Sequence, residues 1–335
     1  MNIENFSPLI HIGFHKTATT FLQKNIFSSS EYKFYPITDS KHRHDQPKVF
    51  DTKLSVKSFA GYFFAESHDG FFLSPYENRT EEIHKEVEIF LKKINYDSEK
   101  ICVLSNERLC GAPHSGFYDS KSICDRIYDA FPNAKILITI REQKSMIKSL
   151  YFQYIVEGGT KNISKYLTQK YNNYATSAFR ASDLKYDALV GYYINTFGKS
   201  NVLTLPYEML QNQSEDFFDR LYTFVDIDKP PIDLAKLEKA NVTSSRYARF
   251  KMRHLFRLFN PYISVDSLFP NKIIFASLRI VANLISIVLP KSLDLAFQKK
   301  IESESEAYCI GKYEKSNKKL QQLINLDLEN YKYSV

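Results

Sequence analysis

Lys16 closely follows the apolar residues Leu9, Ile10 and Ile12, and Thr17, Ala18, Thr19 and Thr20 come directly after it. A lysine, three hydroxyl groups and the exposed amides of a turn are chemistry for an anion, phosphate or sulfate above all. Further along, Arg141 closes a second apolar run and Ser149 stands eight residues later. An arginine fork takes phosphate oxygens two at a time, and a serine hydroxyl can share them. Taken singly, each group also fits a plain structural role: a lysine at a turn, threonines opening a helix, a surface arginine.

The elements that must hold these residues follow from periodicity. Leu9, Ile10 and Ile12 predict a short buried strand, and Phe21, Leu22 and Ile26 recur at helical spacing, so residues 15–20 form the turn between strand and helix. After a polar, irregular stretch over residues 33–51, Ile83, Val87, Phe90 and Leu91 mark one side of a helix. Ile101, Val103 and Leu104 predict a second strand ending in a polar tip at Ser105, Asn106 and Glu107. A helix, a turn at Pro132 and Asn133, a strand over 136–140 and a further helix repeat the pattern, and Val202 to Leu205 supply another strand before the helix of residues 214–227. Short unbroken apolar strands alternating with helices predict an α/β fold with a parallel sheet covered on both faces. Ligands of such sheets bind beyond the carboxyl ends of the strands, where Lys16, Glu107 and Arg141 all fall.

Composition narrows the partners. The chain has 335 residues, 44% hydrophobic, enough for a packed core. Its net charge of +7 is spread along the sequence instead of being gathered into a stripe, which argues against nucleic acid and suits a small polyanion. Cys102, Cys110, Cys124 and Cys309 have no metal-ligand spacing and are expected as free thiols in a cytoplasmic protein. No signal peptide is visible. Residues 273–290 are apolar over nearly a membrane-spanning length but include Arg279 and Asn283, so a buried or amphipathic helix is expected, with membrane contact at most peripheral.

The two anion motifs together resemble the sulfotransferases that use 3′-phosphoadenosine 5′-phosphosulfate (PAPS), particularly bacterial carbohydrate-type members. The run HKTATTFLQ is similar to the family's 5′-phosphosulfate loop, and REQKSMIKSLY to its 3′-phosphate motif; VLSNERL, FGKSNVLTLPYEML and YEKSNKKLQQLINLDLENYKY are similar to further elements. The resemblance implies a P-loop-like three-layer fold with a helical C-terminal region: residues 1–240 as the donor-binding core, and 241–335 as a further part of the same domain that covers donor or acceptor. It implies in-line transfer of the sulfuryl group of PAPS to a hydroxyl, or an amine, of a carbohydrate or glycolipid acceptor, with adenosine 3′,5′-bisphosphate leaving and no metal. Polysaccharide or lipopolysaccharide precursors, sulfated in the cytoplasm or at the inner membrane, are the expected acceptors.

On that resemblance Lys16 meets the bridging oxygen, the loop from His15 through Thr17, Ala18, Thr19 and Thr20 surrounds the 5′-phosphate, and Arg141 with Ser149 holds the 3′-phosphate. His15 itself is expected to point away from Lys16. Where the family usually has glycine this chain has Ala18, which is tolerable if its φ is negative or the ligand leaves room. His44, His42 and Glu107 are the candidate general bases. Arg246 and Arg249 either reach the donor or belong to a solvated helix face, since Arg249, Arg253 and Arg257 recur every four residues. A P-loop-type kinase and a non-catalytic, membrane-peripheral anion binder stand as alternatives. Against the kinase, Lys16 follows Gly13 by three residues and no G-x-x-x-x-G-K-[ST] run is present.

Overall fold

The computed structural model describes residues 6–37, 60–64, 78–96, 99–111, 116–156, 159–168, 180–235, 237, 246–259, 269 and 271–335. The first strand, β1 (Leu9–Gly13), is buried along its whole length. It leads into a helical segment, α1 (Thr19–Leu22), which widens into a π-turn at Gln23–Phe27. Next come β2 (Phe34–Pro36), α2 (Gly61–Phe64), α3 (Thr80–Lys93) and β3 (Ile101–Ser105). A 3₁₀ turn at Glu107–Cys110 precedes α4 (Ser120–Ala130), β4 (Lys135–Ile140), α5 (Gln143–Val156), α6 (Ile163–Leu167), α7 (Tyr186–Phe197) and β5 (Val202–Pro206). The chain ends in helices: α8 (Tyr207–Asn212), α9 (Ser214–Val225), α10 (Arg246–Phe259), α11 (Lys272–Val288), α12 (Lys291–Cys309) and α13 (Glu314–Ile324).

Among the described residues the strands form one five-stranded sheet in the order β2-β3-β1-β4-β5, with every neighbouring pair parallel. Ile10 pairs with Leu104 on one side and Ile136 on the other, which puts β1 at the centre. Because all strands run the same way, the turns after β1, β3, β4 and β5 open on the same edge. The expected parallel α/β sheet is therefore present, with α3, α4, α7 and α13 packed in series as one group and α5, α10 and α12 as another. The periodicity of α3 holds residue for residue: Ile83, Val87, Phe90 and Leu91 are its buried side chains.

Two expectations need correction. The stretch read as polar and irregular contains β2, an edge strand held because Phe34 packs its ring 5.2 Å from Phe27 and 5.6 Å from Tyr222. Pro36 closes it, as a residue without an N–H can at a sheet edge. The apolar stretch 273–290, expected as a buried or amphipathic helix, is a helix of which the buried form is ruled out, since only Phe275 and Ala282 of α11 are enclosed. They pack with Leu278 on Phe256 and Met252 of α10, in a small cluster separate from the main core.

Candidate active site

The loop after β1 has an unusual backbone. Lys16 and Ala18 both sit in the left-handed region, at φ +69° and +63°. For an L-residue this costs on the order of 1–2 kcal/mol each, so Ala18 occupies a glycine-type position at positive φ, not the relaxed one that would make its methyl harmless. The two left-handed turns alternate the side chains. Lys16 and Thr20 are exposed, whereas Thr17 is fully buried.

Thr17 is correspondingly committed to the protein. Its hydroxyl donates to the Phe14 carbonyl at 2.6 Å and its amide to the same oxygen at 3.2 Å, so it does not offer a ligand the hydroxyl expected of it. His15 also turns away from the cleft, with Nδ1 3.8 Å from the Cys110 sulfur. Thr19 has the opposite fate. It is 3% exposed, and its Oγ1 has no hydrogen-bond partner among the described residues. It lies over Gly13, where a Cβ would fall 2.2 Å from that oxygen, so this close approach requires glycine.

Beneath the loop a buried hydrogen-bond chain crosses three strands. Thr17 spends its one hydroxyl proton on Phe14, so at the 2.8 Å contact Thr139 must donate to Thr17. With the Thr139 proton used, His11 must donate through Nε2 across 3.1 Å. Burial holds the His11 imidazole neutral, its pKa pushed down to about 3, so Nδ1 accepts from the Ser105 hydroxyl at 2.7 Å. Gln23 completes the chain by donating to the Ser105 carbonyl at 2.7 Å and its hydroxyl at 3.3 Å. Every proton runs one way, from Gln23 to the Phe14 carbonyl.

Above the loop lies a cleft of about 510 Å³, a volume suited to a nucleotide-sized ligand. Its walls include Lys16, Ala18, Thr19 and Thr20 from the first loop, Glu107 from the tip of β3, Arg141 from the tip of β4, Ser149 from α5 and Arg246 with Arg249 from α10. Residues distant in sequence but singled out for anion chemistry thus share one cavity. His42 and His44 lie outside the described residues.

The cleft is cationic. Arg141 donates from Nη1 to the Lys16 carbonyl at 3.0 Å, stacks 4.9 Å over the Tyr207 ring and keeps a buried Nε with no partner among the described residues. Arg246 stacks 4.3 Å over Phe152 and donates to Gln298 at 2.8 Å. Burial lowers the pKa of Arg246, Asp294 opposes this and the Arg141 charge adds to it; burial and then Arg279 lower that of Arg249. Guanidinium groups that repel one another in a half-buried wall are stabilised by an incoming anion.

Sequence reasoning missed Lys24 and Tyr207, which also line the cleft. Tyr207 is legible as the residue after a strand, like Arg141. Lys24 is four residues beyond Thr20, a helical spacing that the cleft-facing threonine could have extended.

A parallel sheet with a lysine-bearing loop after its central strand and a cationic cleft beyond it is the P-loop-like scaffold of group-transfer enzymes. The family model of the sulfotransferase family matches residues 8–231, and the chain belongs to that family. It is a sulfotransferase, which sets aside the kinase and the non-catalytic anion binder. Among solved structures, the chain is similar to a sulfotransferase from Alicyclobacillus acidocaldarius, at 16% identity and a TM-score of 0.44 over 70% of this chain and 86% of that one. It is also similar to a sulfotransferase domain from the curacin biosynthetic pathway, at 12% identity and a TM-score of 0.41 over 68% and 76%. No curated protein matches the sequence.

Proposed function

We propose that the enzyme moves the sulfuryl group of PAPS to a hydroxyl of a carbohydrate-type acceptor and releases adenosine 3′,5′-bisphosphate. One observation carries this reading: the Lys16 loop and the β4 tip meet in a nucleotide-sized, cation-lined cleft, joined by the Arg141 to Lys16 hydrogen bond.

In the proposed reaction the acceptor oxygen attacks sulfur in line. The new O–S bond forms as the bond from sulfur to the 5′-phosphate oxygen breaks, and the electron pair leaves on the bisphosphate. Lys16 neutralises the bridging oxygen as its charge grows, the term that most often dominates such catalysis. Thr19, Thr20 and the first-turn amides of α1 hold the 5′-phosphate, amides that a helix start leaves without internal partners. Arg141 and Ser149 take the 3′-phosphate, and Arg246 and Arg249, from the region 241–335, cover it.

A base must accept the acceptor proton. Glu107 has that role in this reading because it lines the same cleft as Lys16. The same assays test His42 and His44. The carbohydrate or glycolipid nature of the acceptor, and reaction on its precursor in the cytoplasm, rest on the sequence resemblance.

Calorimetric titration with adenosine 3′,5′-bisphosphate tests the donor site, with adenosine 5′-phosphate and ATP plus magnesium as controls. Micromolar binding that depends on the 3′-phosphate supports the reading. Preference for ATP, or no binding, overturns it.

A further inference from the structure

The helix α11 is largely apolar, yet among the described residues only one side is covered. Phe275 and Ala282 face α10, where the Phe275 ring sits 5.6 Å from Phe256. At 100° per residue the opposite side carries Ile273, Ile280, Leu284 and Ile287, with Val288 beside them. These are among the most exposed apolar residues described, Ile273, Ile287 and Val288 at 79%, 80% and 84%. Further exposed apolar residues are Phe269 before the helix, Leu293 and Leu295 after it, and Leu255 on α10. An exposed apolar helix face of this extent marks an interaction surface.

Charge identifies the cover. Across residues 246–259 and 272–300 the sole acid is Asp294, and it accepts from the Tyr247 amide and the Gln298 side chain. Exposed Lys272, Arg279 and Lys291 belong to α11 and the start of α12, with exposed Lys251 on α10 and Lys299 on α12, while Lys300 pairs with Glu304 at 3.9 Å. A second copy of the chain would set these cations against their own kind. An anionic lipid surface takes both the apolar side and the basic rim.

No single helix among the described residues is long and apolar enough to cross a membrane. The pair α11 and α12 passes on length and composition only, and it bends by 108° at the break between them. Phe297 and Ile301 of α12 are buried in the main core, so this part of the chain suits lying on a bilayer.

The surface also borders the cleft. Asn283, on the polar flank of α11, accepts from Arg249 Nη2 at 3.3 Å, and Arg249 lines the cleft wall. We propose that α11 and its basic rim dock on an anionic bilayer and present the cleft to an acceptor anchored in that bilayer by a lipid chain. The acceptor clause rests on the sulfotransfer reading above; the docking clause does not.

The test is flotation of the full chain with phosphatidylcholine vesicles, with and without phosphatidylglycerol. The chain is expected to bind the anionic vesicles more tightly by on the order of tenfold or more, and salt should weaken this. The triple variant Ile280→Glu, Leu284→Glu, Ile287→Glu is expected to lose vesicle binding while keeping its melting temperature and its affinity for adenosine 3′,5′-bisphosphate. Failure of the parent chain to float, or equal flotation of the triple variant, overturns the proposal. So does a parent dimer in light scattering that the triple variant converts to monomer without any vesicle binding. Loss of bisphosphate binding with flotation intact would instead sink the donor reading and leave the docking surface standing.

Discussion

The guanidinium of Arg141 donates to the backbone carbonyl of Lys16 across 3.0 Å, although 125 residues separate the two. One side chain thereby fixes the distance between the two anion motifs. Replacing Arg141 should act on both the 3′-phosphate and the loop that carries Lys16. Arg141→Ala is expected to weaken adenosine 3′,5′-bisphosphate by roughly ten- to a hundredfold, about 1.5–3 kcal/mol for a charge-assisted contact, and adenosine 5′-phosphosulfate by much less. Titration calorimetry with both ligands decides this, and equal losses would remove Arg141 from the 3′-phosphate.

Lys16 is exposed, so Lys16→Ala should keep the melting temperature within about a degree or two of the parent, as for a surface change. Turnover should fall by on the order of a hundredfold or more if the lysine meets growing charge on the leaving oxygen. A coupled assay of bisphosphate release measures it. Normal turnover would place the lysine outside the chemistry.

The base should separate rate from affinity. Glu107→Gln is expected to lower kcat by about a hundredfold or more while leaving bisphosphate affinity unchanged. His42→Ala and His44→Ala serve in parallel, and the variant that loses rate alone identifies the base. Full activity of Glu107→Gln would exclude Glu107.

Ala18 carries a backbone conformation that glycine enters without strain. Relief of about 1–2 kcal/mol, offset by glycine's greater freedom in the unfolded chain, leaves Ala18→Gly more stable by about 0.5–1 kcal/mol. Thermal unfolding should show a higher melting temperature with donor affinity retained or improved. A lower one would mean that the methyl group makes contacts that outweigh the strain.

His11 gives the protein an acid-sensitive support for the loop. Its folded pKa, about 3, lies below the unfolded value of 6.5, so the unfolded chain binds the extra proton between those limits. Stability from this group is whole above the unfolded pKa and falls as pH drops toward the folded one, by up to about 1.4 kcal/mol per pH unit. His11→Gln keeps a donor for Thr139 but cannot titrate. Urea midpoints from pH 7 to pH 4 should therefore decline less for the variant, and parallel declines would exclude His11 as the acid-sensitive group.

Much of this architecture is readable from local pattern. A strand, a turn and a helix are each written in a few consecutive residues, which is why β1, β3, β4, β5 and the anion motifs at their ends follow from apolar spacing. The direction of the loop hydroxyls is not so written. Thr17 and Thr19 are the same residue type two positions apart and both are buried, yet with the left-handed turns at Lys16 and Ala18 one hydroxyl is spent on the Phe14 carbonyl and the other, at the cleft wall, has no partner among the described residues. The three residues of β2 offer too short a run for period-two alternation to stand out. The apolar run of α11 illustrates a different limit: hydrophobicity states that a surface must be covered, and it does not name what covers it.

The central position of β1 also governs how the enzyme comes into being. Ile10 finds its partners at Leu104 and Ile136, so the strand that launches the Lys16 loop has no neighbour until β3, paired through Leu104, has followed it. Pairings this distant make folding slow and place loop closure ahead of most of the stabilising contacts. The cleft is assembled from the ends of those same strands, so it can form only together with the sheet. An excised N-terminal segment bearing the complete Lys16 motif would have nothing to bind with, and during refolding the recovery of ligand binding should coincide with burial of the central strand.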